Sequence, residues 1–172
     1  MALIVETGTG LIDSNSYADV AFADAYFEGH PFYADAWSDL EVENKEFLLM
    51  AATRDLDAMI NWKGTPTSRT QALRWPRIGA SNSDSIPYGR NVVPTPVRQA
   101  VCEQARYLST SEGNPDAPSD TAGVTELKVD VITLKFGGSE ARGAVPKGAL
   151  RLLLGLGGTY SSSRVGRVQV RL

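Results

Sequence analysis

The hydrophobic positions of the first sixty residues recur at helical spacing and predict two helices. Ser16, with Asp19 three residues on, resembles a capping box and begins a first helix that ends at Gly29. A second helix is predicted from Ser38 to about Trp62, with apolar residues every three to four positions, the spacing of one buried face. We expect the two helices to pack as an antiparallel pair. The predicted buried face of the second helix consists of Leu40, Phe47, Leu48, Ala51, Leu56, Met59 and Ile60.

A long ordered loop is predicted next. Residues 64–95 are dense in glycine, proline, serine, threonine and asparagine and show no apolar period. Within them, residues 70–77 form a short apolar and basic stretch, here called the island. Its leucine and tryptophan indicate that the island is held on the domain, as a loop anchor or a subunit contact. The island residues assigned to this contact are Leu73, Arg74, Trp75 and Arg77.

Two more helices are predicted from their proline starts. Thr95 as N-cap and Pro96 at the first helical position begin a third helix that ends near Thr110. Pro146 begins a short helix that ends ahead of Gly155. The residues expected to be buried on the third helix are Val97, Ala100, Val101, Ala105 and Leu108.

The rest of the chain shows strand-like alternation. Residues 124–136 are rich in β-branched side chains alternating with polar ones, which predicts a β-strand or hairpin arm, and residues 159–172 read as an extended arm. The predicted fold class is therefore mainly α, a small helical bundle with a β-strand or hairpin arm and an extended C-terminal tail. We expect residues 1–158, including the long loop 64–95, to form one helical domain, and residues 159–172 to form the C-terminal arm.

The net charge of -3 hides an uneven distribution. Residues 1–60 contain 12 acidic and 2 basic side chains, whereas residues 61–110 contain 2 acidic and 7 basic ones. No acidic residue follows Glu140. Separated charge suits a subunit that packs beside copies of itself or meets a charged partner, because complementary patches set orientation. The alternative is a solvated helix face.

Catalytic and metal-binding patterns are missing from the sequence. His30 is the only histidine and Cys102 the only cysteine, so conventional zinc sites and Ser-His-Asp catalysis lack their residues. Cys102 lies in an apolar, helix-like stretch, where we expect a buried structural thiol. We expect no enzyme activity, no metal and no cofactor. The lack of a signal peptide or a long apolar run predicts a cytoplasmic product without a membrane contact.

Two further patterns are interpreted as structural. Asp55 and Asp57 are two residues apart and therefore point to different helical faces, which spoils them as a catalytic or metal-binding pair. Gly8 and Gly10 do not belong to a phosphate-binding loop motif, and we expect them to form a turn.

Three stretches of the chain together resemble a phage protein family. They are residues 8–17, which read GTGLIDSNSY, the island stretch QALRWPR at 71–77, and the helix entry at 93–103. In combination they look like the family labelled "putative DnaT-like single-stranded DNA-binding protein", over roughly residues 1–155. The order of several helices, a β-arm and a short late helix is also similar to head-to-tail connector, or adaptor, subunits of tailed phages.

The connector resemblance implies a structural virion protein without catalysis. It implies a dodecameric ring at the head-tail junction of the virion, made in the host cytoplasm, with the portal protein and a tail or next connector protein as partners. DNA would pass through the ring without sequence-specific binding during genome packaging and ejection. The excess of acidic residues in positions 1–60 adds the hypothesis that acidic helices face the channel and repel the DNA backbone. We expect the arm to contact the portal or a neighbouring subunit through Arg164, Arg167, Val168, Val170, Arg171 and Leu172.

The alternative function is single-stranded DNA binding in phage replication. Such proteins combine a basic groove with aromatic side chains on which bases stack. The acidic isoelectric point near 5.2 and the proline after Trp75 favour a structural tryptophan and weigh against this alternative. The residues that would serve it are Arg69, Arg74, Trp75, Arg77, Tyr88 and Arg90.

Overall fold

A computed structural model describes residues 2–110 and 145–159, together with the backbone of residues 126–129 and 132–135. This part of the chain is partly helical, with small antiparallel sheets of two strands each. The elements in chain order are α1 (Val20–Glu28), α2 (Ala34–Ser38), α3 (Val42–Met59), β1 (Ile60–Trp62), β2 (Thr65–Pro66), β3 (Arg77–Ile78), α4 (Thr95–Leu108), β4 (Glu126–Val129), β5 (Ile132–Lys135), α5 (Lys147–Leu152) and β6 (Gly157–Thr159).

The first helix begins later than predicted. Asp19, not Ser16, is the N-cap of α1, and its carboxylate accepts a hydrogen bond of 2.6 Å from the Phe22 amide. Ser16 is held in an extended segment instead, where its carbonyl accepts the Glu6 amide at 2.8 Å. This link to the N-terminal segment keeps the backbone at Ser16 out of the helix.

The predicted second helix is divided among three elements. Helix α2 ends at Ser38, where the prediction began, and α3 starts at Val42. Residues 60–62 leave the helix and form β1, which pairs antiparallel with β6. Gly157 suits this pairing, because a Cβ there would lie 2.7 Å from a side-chain carbon of Ile60. The prediction of one helix to Trp62 was wrong because the partner strand lies about one hundred residues away in the sequence.

The buried face of α3 also differs from the prediction. Leu56 is buried as expected, but Phe47 is 45% exposed. Helix α3 packs against α4. Which residues of α3 are buried therefore depends on this neighbour as well as on the apolar period. The buried residues of α3 are Lys45, Leu49, Ala52, Thr53 and Leu56.

Helix α4 begins one residue earlier than predicted and ends at Leu108, two residues before the predicted end at Thr110. Its N-cap is Pro94 rather than Thr95, and the predicted residues are buried except Leu108, which is half-buried. Helix α4 packs against α1, α3 and α5, and for this reason several of its sides are buried. Cys102 is fully buried, as expected, and burial raises the pKa of its thiol.

The predicted arm at residues 124–136 contains the β4–β5 hairpin, with Glu126 opposite Lys135 and Val129 opposite Ile132. The short late helix is α5, with Pro146 as its N-cap. Strand β6 extends to Thr159, which pairs with Ile60. The division of the chain at residue 158 stays a prediction, and residues 160–172 lie outside the described residues.

Candidate functional site

The island is anchored through its tryptophan. Trp75 is fully buried, with its ring edge-to-face against Trp62 at 5.9 Å and Tyr88 at 6.4 Å between ring centroids. Its backbone amide donates a hydrogen bond of 3.0 Å to the Tyr17 hydroxyl. A buried ring of this kind is closed to ligands, so Trp75 cannot serve as a stacking surface.

Asp57 connects the island to helix α3. Its carboxylate accepts hydrogen bonds from the Tyr17 hydroxyl at 2.8 Å, the Trp62 indole at 3.1 Å and the Arg74 amide at 2.9 Å. Burial raises the pKa of Asp57, and the three donors oppose that shift. Burial also raises the pKa of the Tyr17 phenol, so Tyr17 remains a donor at neutral pH. No pattern in the sequence marks Asp57 for this role, because its partners come from three separate segments.

Arg77 has a structural position. Its guanidinium donates to the carbonyl oxygens of Lys63 at 2.7 Å and Arg74 at 3.0 Å, and also to that of Gly64. These bonds tie β3 to the turn after β1. Because Arg77 is buried and already bonded, it is not available to a ligand.

A groove of about 1070 Å³ lies between the outer face of α3 and the island. It is called the basic groove below, because three arginines line it. Arg54 comes from α3, and Arg69 and Arg74 come from the long loop. All three are exposed, and their guanidinium groups make no hydrogen bond or salt bridge to any residue that the structure describes. The apolar side chains of the groove include Phe47, Met50 and Leu73.

The polar neutral side chains of the basic groove are used within the protein. Asn15 accepts the Ile4 amide at 2.8 Å through its side-chain oxygen and donates to the Ala2 carbonyl at 2.9 Å. Gln71 accepts the Ser68 amide at 2.9 Å and donates to the Leu73 carbonyl at 2.7 Å. The Asp57 carboxylate also lines the groove and is held by its three donors. The charged groups left to meet a ligand are therefore the three arginines, beside the apolar side chains.

The N-terminal turn supports the groove and is not itself an anion site. The Glu6 carboxylate is buried and accepts the amides of Gly8 at 2.8 Å, Gly10 at 2.9 Å and Leu11 at 2.7 Å. The amides that a phosphate would need are thus occupied by the protein's own carboxylate. The Leu11 carbonyl then accepts the Ala72 amide at 2.9 Å, which joins the turn to the island.

Two of the three stretches that carried the family resemblance, residues 8–17 and the island, meet at this site. The turn at 8–11 contacts the island through Leu11, and Tyr17 bonds Trp75. A family model described as "Putative DnaT-like ssDNA binding protein" matches residues 1–168. The chain belongs to this family. Neither the curated proteins nor the solved structures provide a significant match.

The family match corrects the main functional expectation from the sequence. The expected head-to-tail connector role, with its binding to a portal protein, was wrong, because the family is described as single-stranded DNA binding. The alternative function named from the sequence agrees with the family description. The connector resemblance rested on the order of secondary-structure elements, and fold-level likeness is a weak guide to function.

The structure separates the residues assigned to the alternative. Arg69 and Arg74 line the basic groove, whereas Trp75 and Arg77 are buried and Tyr88 packs on Trp75. Arg90 is exposed and lies outside the groove lining. Sequence reasoning missed Arg54 and Phe47, because they were counted as part of a helix and its buried face. The predicted arm contacts at residues 164, 167, 168 and 170–172 lie outside the described residues.

The described part of the chain contains neither a metal-binding cluster nor a membrane-spanning helix. Residues 2–110 and 145–159 contain no group of three or more histidine, cysteine, aspartate or glutamate side chains suited to a metal ion. None of the helices there combines the length and hydrophobicity of a membrane span.

Proposed function

We propose that the protein binds single-stranded DNA in the basic groove, without catalysis. The observation that carries this proposal is the meeting of three exposed guanidinium groups, none in a salt bridge with a described residue, at one groove of a chain whose net charge is -3. Exposed arginines that share a concave surface are suited to the phosphates of a nucleic acid backbone.

The side chains of the groove favour a single strand over a duplex. Single-strand binding proteins combine a positive groove that follows the backbone with aromatic rings that stack on unpaired bases. Phe47 supplies an exposed ring beside the arginines, and Met50 and Leu73 add apolar surface. In a duplex the base faces are already stacked, so these apolar groups would have no partner.

The groove is also built on fixed elements. Arg54 belongs to the 18-residue helix α3, and the Arg74 backbone is held by Asp57. Positioning the cations before the ligand arrives reduces the entropy lost on binding. The acidic residues elsewhere in the first sixty positions disfavour phosphate contacts outside the groove.

Fluorescence anisotropy of a labelled single-stranded oligonucleotide tests the proposal. For single strands, the logarithm of affinity falls with the logarithm of salt by about 0.7 for each neutralised phosphate, so three contacts give a slope of about 2 and roughly a 20-fold loss from 50 to 200 mM salt. We expect the triple variant Arg54→Gln, Arg69→Gln, Arg74→Gln to lose most of this slope. The matched control is Arg90→Gln, which removes an exposed charge outside the groove.

The outcome distinguishes the groove from general attraction. Weakened binding in the triple variant with unchanged binding in Arg90→Gln supports the basic groove. Equal losses per charge in all variants would mean that binding follows net charge and not the groove. A duplex of the same length that binds as tightly as the single strand would contradict the proposed preference.

A further inference from the structure

A second groove, of about 650 Å³, lies where α1 and α2 meet the start of α3. It is called the acidic groove below. Beneath it the rings of Phe27 and Trp37 are buried and pack together, with centroids 4.8 Å apart. Asp24, Glu28 and Asp35 line the groove, and Lys45 is the single basic residue of the lining.

Two carboxylates of the acidic groove have no neutralising partner among the described residues. Asp24 accepts the Trp37 indole at 2.8 Å and the Lys45 ammonium at 3.0 Å. The side chains of Glu28 and Asp35 make no hydrogen bond or ion pair to any described residue. Two exposed carboxylates that no described residue neutralises are suited to arginine, whose planar guanidinium pairs with carboxylates through two parallel hydrogen bonds.

A segment with the complementary chemistry exists in the same chain. Residues 160–172 contain Arg164, Arg167 and Arg171 and no acidic residue, with valines between the arginines. The basic groove is not expected to bind this segment, because the three arginines of the groove would repel the arginines of the segment. Charge complementarity therefore favours the acidic groove.

The direction of β6 brings this segment toward the acidic groove. Gly157 pairs with Trp62 and Thr159 with Ile60, so the chain at Thr159 runs back toward α3. The path along α3 from Ile60 to Lys45 is about 22 Å at 1.5 Å per residue. An extended chain from Thr159 reaches about 26 Å at Arg167 and about 40 Å at Arg171.

We propose that Arg167 and Arg171 of the C-terminal segment dock on the acidic groove of their own subunit. The short connection favours this intramolecular pairing over pairing with a second copy, because it creates a high effective concentration. The proposal concerns a different surface from the DNA-binding groove and does not depend on DNA binding.

Paramagnetic NMR on the full chain tests the docking. A nitroxide attached to Gln169→Cys is placed specifically, because Cys102 is fully buried. We expect the label to reduce the amide signals of acidic-groove residues such as Ala25, Ala34 and Trp37. The loss of signal should disappear in Glu28→Gln, Asp35→Gln. It should persist in the control Asp13→Asn, Asp84→Asn, which removes the same charge at exposed positions outside the groove.

Each other outcome overturns the proposal. Signal loss at the basic groove, or none at the acidic groove, would mean that the segment does not dock there. Signal loss that survives the groove variant would show that Glu28 and Asp35 do not hold the arginines. A mixture of isotope-labelled protein without nitroxide and unlabelled protein with nitroxide gives the last check, since loss appearing there would mean docking between subunits.

Discussion

Removal of the Tyr17 hydroxyl should test how the island is held on helix α3. The hydroxyl donates to the Asp57 carboxylate at 2.8 Å and accepts the Trp75 amide at 3.0 Å, and Tyr17 is fully buried. Tyr17→Phe keeps the ring and its packing. It leaves the Trp75 amide without its acceptor and removes one of the three donors to the Asp57 carboxylate.

The magnitude follows from these two contacts. A hydrogen bond to a charged group contributes about 1.5–3 kcal/mol, and a buried group left unsatisfied costs about 1–3 kcal/mol. Because the contacts share one atom, their effects are not additive, and we expect a loss of about 3 kcal/mol in the free energy of unfolding. For a domain of this size, that corresponds to a decrease of about 6–12 °C in Tm.

Urea and thermal unfolding followed by circular dichroism measure this loss. The matched control is Tyr33→Phe, because the Tyr33 hydroxyl makes no hydrogen bond to a described residue, and a change within about 0.5 kcal/mol is expected. A loss below about 1 kcal/mol for Tyr17→Phe, or an equal loss for both variants, would refute the reasoning. Such a result would mean that water replaces the hydroxyl or that packing alone anchors the island.

Three further predictions concern charge, stacking and backbone. Burial raises the pKa of the Asp57 carboxyl, so the folded protein binds this proton more tightly than the unfolded chain does. The resulting stability is fully present below the unfolded pKa and is lost as pH rises through the folded pKa. Urea unfolding should therefore show Asp57→Asn gaining stability relative to wild type as pH rises between the two pKa values. Phe47→Ala should weaken oligonucleotide binding in anisotropy by about 1–3 kcal/mol while Tm changes little, because the ring is partly exposed. Gly8→Ala should destabilise the protein in thermal unfolding by more than about 1 kcal/mol, because φ is positive and a Cβ would overlap the Asn91 carbonyl, whereas Gly29→Ala meets no atom and should not. Opposite signs or equal effects in the glycine pair would contradict these expectations.

The elements with strong local signals could be predicted from the sequence. Proline near the first turn places the starts of α4 and α5, and the alternation around residues 124–136 places the β4–β5 hairpin. Burial of Cys102 also follows from its apolar neighbours, and Leu73 and Trp75 indicate that the island is anchored on the domain. These features depend on residues close together in the chain, where periodicity and backbone restriction act directly.

The sequence by itself also determined the family, because three short stretches in combination carry the resemblance. Only the tertiary structure decided which residues form the candidate site. Arg54 and Phe47 face the basic groove because α4 takes the opposite side of α3, and Asp57 gathers Tyr17 and Arg74 from separate segments. Such contacts join residues far apart in the chain, and the apolar period of one helix cannot show which of its sides a distant segment will cover.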